Sequence, residues 1–369
     1  MILCANPSAQ FQSYQAEIEE AALAVMRGNR FILGEAVESL EQEFANYIGT
    51  SEAIGVANGT DAIELALRAL NIGTGDEVIT VSHTAVATVA AIEVTGAIPV
   101  LVDVEPQFYT LDPLQLAEVI TTNTKAIIAV HLYGQAADLD SIFDFCKSNN
   151  LYLIEDCAQA HGAKYKGRRL GSIGDIGCFS CYPTKNLGAI GDAGLITTSN
   201  ELATKIRKLR EYGWSNRISE YKGRNSRLDE MQAAILRIKL KYLDSDNEKR
   251  RQLAAYYNDQ LSNLPIKTPE IRAEVESVYH LYVIQVMEQQ KFIEYLLDKG
   301  IQVGIHYPVP VHLQPAYKNR VRLARNMRVT ENLTNKIVSL PMYPELSIQD
   351  LEKITNAIKS FLNNKVIES

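Results

Sequence analysis

The residues best able to do chemistry stand in two short segments near the middle of the chain. Asp156 lies in residues 153–161 (LIEDCAQAH), after an apolar run, and Lys185 lies in residues 180–187 (SCYPTKNL), in a turn marked by Pro183. A lysine amine can condense with an aldehyde, and a carboxylate facing a pyridine nitrogen keeps that nitrogen protonated, so that the ring can accept electrons. Each residue alone is more often a surface charge or a turn former, but the pair predicts pyridoxal-phosphate chemistry.

A phosphate anchor for the same cofactor is predicted at the start of a helix. Residues 58–64 (NGTDAIE) place the backbone amides of Gly59, Thr60 and Asp61 where a helix begins, and such amides can bind an anion. The segment also resembles a capping box, so by itself it is better explained as an ordinary helix start. Ser180 could add its hydroxyl to the phosphate. The cofactor hypothesis rests on the convergence of these groups with the acid and the lysine.

These residues must be positioned by a sheet, and the sequence predicts one. Apolar β-rich runs alternate with amphipathic helical patterns, as in a mostly parallel sheet of the α/β class that helices cover on both faces. The runs are residues 53–56, 77–81, 98–102, 126–131, 151–155, 176–180 and 195–198. Ligands of such folds bind at the carboxyl ends of the strands, and Asp156 lies at one of these ends.

The C-terminal part is predicted to form a smaller α+β unit. Apolar residues at 228, 231, 235, 238 and 242 mark one face of a long helix that continues towards Tyr257. Beyond it, residues 279–287 are predicted as a strand, and residues 289–299 and 348–362 as helices. Since 369 residues exceed the usual size of a single core, we expect two domains, residues 1–245 and 246–369.

Charge and composition disfavour several classes of function. The net charge of -7 would repel a phosphate backbone, so we expect no nucleic acid partner. The longest apolar stretch, residues 78–104, is interrupted by His83, Glu93 and Asp103, which argues against a membrane span. The N-terminus has no basic start and no cleavage pattern, so we expect a cytoplasmic protein.

Metal and nicotinamide sites are not predicted either. Five cysteines form an odd set, and the C-x-x-C spacing of Cys178 and Cys181 lacks a second pair and lies in a strand pattern. A nicotinamide dehydrogenase would need Gly-x-Gly-x-x-Gly after an early strand, and no such triplet follows residues 56 or 81.

Seven short motifs are shared with one known family. They are residues 30–34 (RFILG), 58–62 (NGTDA), 75–79 (GDEVI), 155–162 (EDCAQAHG), 183–187 (PTKNL), 223–228 (GRNSRL) and 306–308 (HYP). With them, the chain resembles over nearly its whole length the DegT/StrS-type nucleotide-sugar aminotransferases, which are fold-type I pyridoxal-phosphate enzymes. The resemblance implies an aspartate-aminotransferase-like fold, with a mostly parallel sheet in the large domain and a smaller α+β C-terminal domain.

The resemblance also implies roles for the chemical residues. Lys185 would carry the cofactor and later move the proton between the substrate carbon and the cofactor, with a pKa lowered by its neighbours and partial burial. Asp156 would face the pyridinium nitrogen, and Gln159 would lie beside the ring near its hydroxyl. Ser180 and the amides of residues 59–61 would hold the phosphate.

Further residues are implied at the edges of the site. An asparagine of the Gly-x-Asn-x-Arg motif would reach the phosphate of the neighbouring subunit, which implies Asn225 and a homodimer with composite sites. Without the resemblance, Asn225 would be interpreted as a loop residue that makes its own turn. His306, Tyr307 and His312 lie in a proline-stiffened loop that would line the substrate entrance, although a single histidine is usually structural.

One position departs from the family pattern. Relatives usually place an aromatic residue two positions after His83, where it stacks on the cofactor ring, but this chain has Ala85. Either His83 supplies the flat surface or the stacking is weaker. The sequence Ser82-His83-Thr84 resembles relatives that aminate C3 of a deoxysugar.

The implied activity moves an amino group from L-glutamate to a nucleotide-linked keto-6-deoxyhexose in a ping-pong reaction, with pyridoxamine phosphate as the amino carrier. C3 of a dTDP-linked sugar is favoured over C4 of a dTDP- or UDP-linked one. Related dehydratases carry histidine in place of the lysine, so Lys185 argues against that activity. A non-catalytic regulatory relative should lack one of Asp156, Ser180 and Lys185, and all three are present.

Overall fold

The computed structural model describes residues 1–368, with helices and strands numbered in chain order. The helices are α1 (Pro7–Ser13), α2 (Gln15–Arg27), α3 (Glu35–Ile48), α4 (Gly59–Ala69), α5 (Val86–Thr95), α6 (Leu116–Val119), α7 (Leu139–Asn149), α8 (Asn200–Leu209), α9 (Glu230–Leu261), α10 (Gln289–Asp298), α11 (Arg328–Thr334) and α12 (Ile348–Glu368). The strands are β1 (Glu52–Val56), β2 (Glu77–Val81), β3 (Ile98–Val102), β4 (Thr124–Val130), β5 (Tyr152–Asp156), β6 (Lys164–Tyr165), β7 (Arg168–Arg169), β8 (Ile176–Ser180), β9 (Gly194–Thr198), β10 (Trp214–Ser215), β11 (Ile218–Ser219), β12 (Val275–Glu276), β13 (Tyr282–Gln285), β14 (Arg322–Leu323) and β15 (Ile337–Leu340).

The central sheet has eight strands in the order β1-β9-β8-β5-β4-β2-β3-β14. All neighbouring pairs are parallel except the two that involve β9. The predicted α/β fold with a mostly parallel sheet is therefore confirmed, and β14 is an edge strand that the sequence pattern did not predict. Because β9 reverses direction, the chain leaves β8 at Ser180 and re-enters the sheet at Gly194 on the same edge. The intervening segment, which carries Lys185, lies at that edge.

Strand register brings the phosphate-anchor segment to the same place. Val56, the last residue of β1, and Ser180, the last residue of β8, both pair with Gly194 of β9. The helix α4 begins at Gly59, three residues beyond the end of β1. The start of α4 therefore lies directly beside Ser180.

Two apolar cores cover the two faces of the sheet. Successive strand residues point to opposite faces, so Ile127 and Leu153 pack into one core with α3, α7 and α9, whereas Ile128 and Ile154 pack into the other with α4, α5 and α8. Each fully buried side chain of this size stabilises the fold by about 1.5–3 kcal/mol relative to an exposed one. Most of the consecutive apolar positions that predicted a doubly covered sheet are buried as expected, whereas Ile98 at the start of β3 is exposed.

A third core lies in the C-terminal part. It unites the antiparallel pair β13 and β15 with α10, α12 and the last turns of α9, and the rings of Tyr257 and Tyr282 contact at its centre with centroids 4.8 Å apart. The predicted domain boundary between residues 245 and 246 falls inside α9. The division into two domains at that point stays a prediction.

Two predicted elements differ from the structure in detail. The strand predicted at residues 279–287 is shorter, because β13 covers only Tyr282–Gln285. The long helix begins at Glu230, and on its predicted apolar face Met231 and Ile238 are only half-buried. Contacts of α9 with both α2 and α3 explain this difference, since they bury a wider surface than one stripe. Among the described residues, no helix combines the length and the apolar character needed to cross a membrane.

Candidate active site

Lys185 presents a free amine at the carboxyl edge of the sheet. Its backbone amide donates to the carbonyl of Tyr182 at 2.8 Å, which closes the turn around Pro183. The side chain is half-buried, and among the described residues its Nζ has no hydrogen-bond or ion-pair partner. Burial lowers the pKa of Lys185 from 10.5 to about 8, while the negative charge of Asp156 acts in the opposite direction. A substantial fraction of this amine is therefore neutral near physiological pH.

Asp156 ends β5 and is held by two donors. Its Oδ2 accepts a hydrogen bond from Thr88 Oγ1 at 2.8 Å, and its Oδ1 accepts one from the amide of Ala158 at 3.1 Å. Burial raises the pKa of Asp156, whereas these two hydrogen bonds and the positive charge of Lys185 lower it. The acid and the lysine thus lie within electrostatic reach of each other. Two donors fix the direction in which the carboxylate faces.

The start of α4 forms a cradle against Ser180. A Cβ added to Gly59 would lie 2.5 Å from Cβ of Ser180, so only glycine allows this approach. Asn58 caps the helix by accepting from the amide of Asp61 at 2.8 Å. Within the described chain the amides of Gly59 and Thr60 have no acceptor, as expected for the first residues of a helix. Two free amides therefore lie close to a hydroxyl, which suits a phosphate.

The capping box that begins at Asp61 is wrong, because Asn58 is the residue that caps the helix. The carboxylate of Asp61 makes other contacts. It accepts from Ser226 Oγ at 2.7 Å and is paired with Arg224. Arg224 also pairs with Glu64 at 2.7 Å. The Asp61 charge beside the cradle is therefore compensated, and the pairing ties the Gly-x-Asn-x-Arg segment to α4.

Asn225 itself is exposed in the single chain. Its Oδ1 accepts from the amide of Arg227 at 3.4 Å, which is the local turn expected of an ordinary loop asparagine. A role towards a second subunit stays a prediction.

Gln159 and Tyr307 join the segment after Asp156 to the loop at residues 304–312. Gln159 accepts from the amide of Tyr133 at 2.7 Å and donates to the hydroxyl of Tyr307 at 2.9 Å. Burial and the charge of Asp156 raise the pKa of Tyr307 to about 12, and the Gln159 hydrogen bond opposes this shift. Tyr307 therefore stays a neutral phenol near Asp156.

His83 is held in one tautomer by its neighbours. The hydroxyl of Tyr133 donates its only proton to the backbone carbonyl of His306, so His83 Nε2, 2.8 Å from that hydroxyl, must be the donor. Burial lowers the pKa of His83 to about 4, which keeps the ring neutral. Its Nδ1 is buried without a partner in the described chain. Ala85 is the N-cap residue of α5 and offers no aromatic ring beside His83.

The two loop histidines differ in how they are held. Nδ1 of His306 contacts Ser339 Oγ at 2.8 Å, and burial lowers the pKa of His306 to about 4, with a smaller contribution from the charge of Lys185. His312 is buried, with Nδ1 2.6 Å from Ser82 Oγ and Nε2 3.1 Å from Glu331. Both nitrogens of His312 are thus engaged within the protein, whereas His306 lies near Lys185.

Sequence patterns missed several residues that shape this site, among them Thr88 and Tyr133. Thr88 lies on the first turn of α5, and only the tertiary structure shows that it faces Asp156. Tyr133 adopts a left-handed conformation with φ 62°, a strained backbone state for an aromatic residue. Neither residue belongs to a motif with known spacing, so no local signal was available.

One buried cluster has ligands of metal-binding type. His131, Glu155 and Cys157 bring one ligand atom each within 4.8 Å of the others. However, Glu155 already accepts from His131 Nε2 and from three backbone amides, and Nδ1 of His131 accepts from Ala137. These groups satisfy one another and fix the loop that follows β5.

Comparisons with known proteins find similarity along nearly the whole chain. A model of the DegT/DnrJ/EryC1/StrS aminotransferase family matches residues 12–359. The chain is 47% identical over 350 residues to dTDP-3-amino-3,6-dideoxy-alpha-D-galactopyranose transaminase of Aneurinibacillus thermoaerophilus, covering 94% of this chain and 96% of that one. It is 42% identical to dTDP-3-amino-3,4,6-trideoxy-alpha-D-glucose transaminase of Streptomyces venezuelae, covering 96% and 94%.

Solved structures give the same result. The structure of S. venezuelae DesV in complex with a ketimine intermediate matches with a TM-score of 0.95 at 41% identity, over 98% of each chain. The fold-type I expectation is thereby confirmed. The chain belongs to the DegT/DnrJ/EryC1/StrS aminotransferase family.

Proposed function

We propose that this protein is a pyridoxal-phosphate-dependent sugar aminotransferase. It moves an amino group from L-glutamate to a dTDP-linked 3-keto-6-deoxyhexose and forms a 3-amino-3,6-dideoxyhexose. The observation that carries the proposal is the unpaired amine of Lys185 within electrostatic reach of the buried, oriented carboxylate of Asp156, beside the cradle of Gly59 and Ser180. The activities named for the two relatives, both transaminases of dTDP-3-amino sugars, support the dTDP-linked sugar and position C3.

The residues present fit the cofactor at three points. Asp156 offers a carboxylate to a ring nitrogen, Lys185 offers an amine to an aldehyde, and the Gly59–Ser180 cradle offers donors to a phosphate. When bound, the cofactor supplies an aldehyde that holds amino groups and a ring that accepts electrons from the neighbouring carbon.

Asp156 holds a proton on the ring nitrogen. Burial raises the pKa of Asp156, and the hydrogen bonds that Thr88 and Ala158 donate to its two oxygens favour the ionised carboxylate and oppose that rise. An ionised acid at this position stabilises the positive charge of a protonated nitrogen.

Lys185 moves the proton. With a pKa of about 8, its Nζ can take a proton from the substrate carbon and return it within one cycle, because base and conjugate acid are both populated near neutral pH. The half-buried position of Lys185 limits exchange of that proton with bulk water.

The phosphate is bound in this proposal by Gly59, Thr60 and Ser180. The amide of Asp61 already donates to Asn58, so Asp61 contributes through the ion pair of its carboxylate with Arg224 instead. Asn225 of a second subunit completes the phosphate site, which requires a homodimer. Gln159 would lie beside the ring when the cofactor is bound, and His83 would offer the ring a neutral surface in place of the aromatic residue absent at position 85. His306, Tyr307 and the loop anchored by His312 line the sugar entrance.

The activity is tested by incubating purified protein with L-glutamate and a panel of 3-keto and 4-keto dTDP- and UDP-sugars, with the product position determined by NMR. We expect amination at C3 of the dTDP-linked 3-keto sugar. Amination at C4 would contradict the proposed position, and a colourless protein that takes up no pyridoxal phosphate would contradict the enzyme class. We further propose that the reaction takes place in the cytoplasm.

The composite site has its own test. Lys185→Ala and Asn225→Ala chains should each be nearly inactive alone, but each mixed dimer should contain one site with both residues. Random exchange of equal amounts should restore roughly a quarter of the wild-type activity, since half the dimers are mixed and each has one intact site. Absence of any recovery after verified subunit exchange would contradict an Asn225 contact across subunits.

A further inference from the structure

Asn186, the residue after Lys185, is buried in a hydrogen-bond network that no step above uses. Its Nδ2 donates to Oδ1 of Asn247 at 2.8 Å and to the backbone carbonyl of Val278 at 3.0 Å. A backbone carbonyl can only accept, so the orientation of the Asn186 amide is fixed, and both of its protons are engaged.

The fixed amide determines the tautomer of a histidine. Oδ1 of Asn186 lies 3.1 Å from Nδ1 of His280 and can only accept, so His280 must carry its proton on Nδ1. Burial lowers the pKa of His280 well below its usual value, and the positive charge of Lys185 adds to this effect. His280 is therefore a neutral imidazole with a lone pair on Nε2, and the described side chains provide no partner for that nitrogen.

The network continues to the segment that follows Asp156. Nδ2 of Asn247 donates to the carbonyl of His161 at 2.8 Å, again a contact that only one amide orientation allows. Gly162 makes this approach possible, since a Cβ there would lie 2.8 Å from Asn247 Nδ2 and its φ of +85° disfavours other residues. Donors thus run in one direction, from His280 through Asn186 and Asn247 to His161.

This one-way chain joins three parts of the molecule. Asn186 belongs to the Lys185 turn, His161 to the segment after β5, and His280 to the segment before β13. Asn247, on α9, is the central junction. A change of direction at any link would place two donors or two acceptors face to face, which is costly for buried groups.

We propose that Asn186 and His280 are a positioning pair for Lys185. The pair holds the lysine turn in register with the segment after Asp156, and it fixes the proton of the neighbouring imidazole on Nδ1. This inference rests on the proposed function, because it assigns the network to the proton-moving lysine.

Two substitutions of His280 distinguish the role of its Nδ1 from the role of its Nε2. In His280→Asn the side-chain amide can replace the Nδ1–H donor to Asn186, whereas in His280→Gln the amide reaches the Nε2 position and the donor is lost. We expect His280→Asn to keep kcat within about threefold and His280→Gln to lower it about 10- to 100-fold with little change in KM, as for a misplaced catalytic group. The pH titration of the bound cofactor's absorbance should shift in His280→Gln and stay in place in His280→Asn.

Asn258→Ala is a matched control. It removes another amide on α9, which accepts from Tyr282 at 2.6 Å, and should lower thermal stability without shifting the absorbance titration. Equal kcat values and equal titrations for His280→Asn and His280→Gln would overturn the proposal.

A direct observation of the His280 tautomer needs no turnover. In wild-type protein labelled with 15N-histidine, the ring nitrogens of His280 should give the NMR pattern of a neutral Nδ1–H tautomer, and His280→Asn identifies that signal by its loss. An Nε2–H tautomer or a protonated ring would overturn the pair. The two claims fail separately: no amination of any keto-sugar contradicts the proposed function, whereas the wrong tautomer contradicts the positioning pair.

Discussion

Without cofactor, the amine of Lys185 should titrate near pH 8 rather than near 10.5. At neutral pH a pKa of about 8 leaves roughly a tenth of the amine unprotonated, whereas a pKa of 10.5 leaves roughly 0.03%. The expected gain in reactive amine is therefore about 300-fold. Burial causes the shift, and the charge of Asp156 limits it. Burial of Lys185 and the charge of Asp156 can both be changed by substitution.

The assay is labelling of the cofactor-free protein with an amine-reactive reagent across neutral and alkaline pH, with each modified peptide quantified by mass spectrometry. Resolution by peptide is necessary because burial also lowers the pKa of Lys239 to about 8. Lys239 is buried and donates to Gln10 at 3.0 Å, so it should label far more slowly than Lys185. The exposed Lys318 serves as the solvent-accessible reference.

Asp156→Asn tests whether the negative charge of Asp156 raises the pKa of Lys185. Removal of the negative charge should move the Lys185 labelling midpoint to a pH lower still, because the charge of Asp156 raises the pKa of the lysine. Turnover should nevertheless fall by orders of magnitude, since the ring nitrogen loses its anionic partner. A wild-type midpoint near the ordinary lysine value, or a midpoint that rises in Asp156→Asn, would refute this reasoning.

Two further changes test the cradle and the acid. Gly59→Ala puts a Cβ 2.5 Å from Ser180 and should weaken pyridoxal phosphate binding about 10- to 100-fold, or about 1.4–2.8 kcal/mol, by equilibrium titration; unchanged affinity would contradict a phosphate there. Thr88→Val removes a hydrogen bond that lowers the pKa of Asp156, so the acid side of the pH–rate profile should move to higher pH and kcat should fall about tenfold; an unmoved profile would contradict this role.

The sheet was predictable because its signals are local. Strands such as residues 77–81 and 98–102 are mainly apolar and, apart from Ile98, buried, and both appear with the predicted bounds. Asp156 and Ser180 end their strands, so the rule that ligands bind at carboxyl ends placed them correctly at one edge. Resemblance to a family added the connection between these positions and one cofactor.

Other features depend on contacts between distant segments. The pairing of Asp61 with Arg224, and of Thr88 with Asp156, joins residues 163 and 68 positions apart, and no periodicity reports such contacts. The apolar face predicted for α9 differs from the buried surface, because two helices pack on α9, whereas the pattern assumed one covered face. Likewise, the tautomer of His280 follows only from the direction of neighbouring amides.

The central claim is that Lys185 is the lysine that carries the cofactor while Asp156 faces the same ring. The most direct measurement is borohydride reduction of the protein loaded with pyridoxal phosphate, followed by mass spectrometry of its peptides. We expect one stoichiometric phosphopyridoxyl label, on Lys185, and its loss in Lys185→Ala. A label on Lys239 or on any other lysine, with Lys185 unmodified, would contradict it.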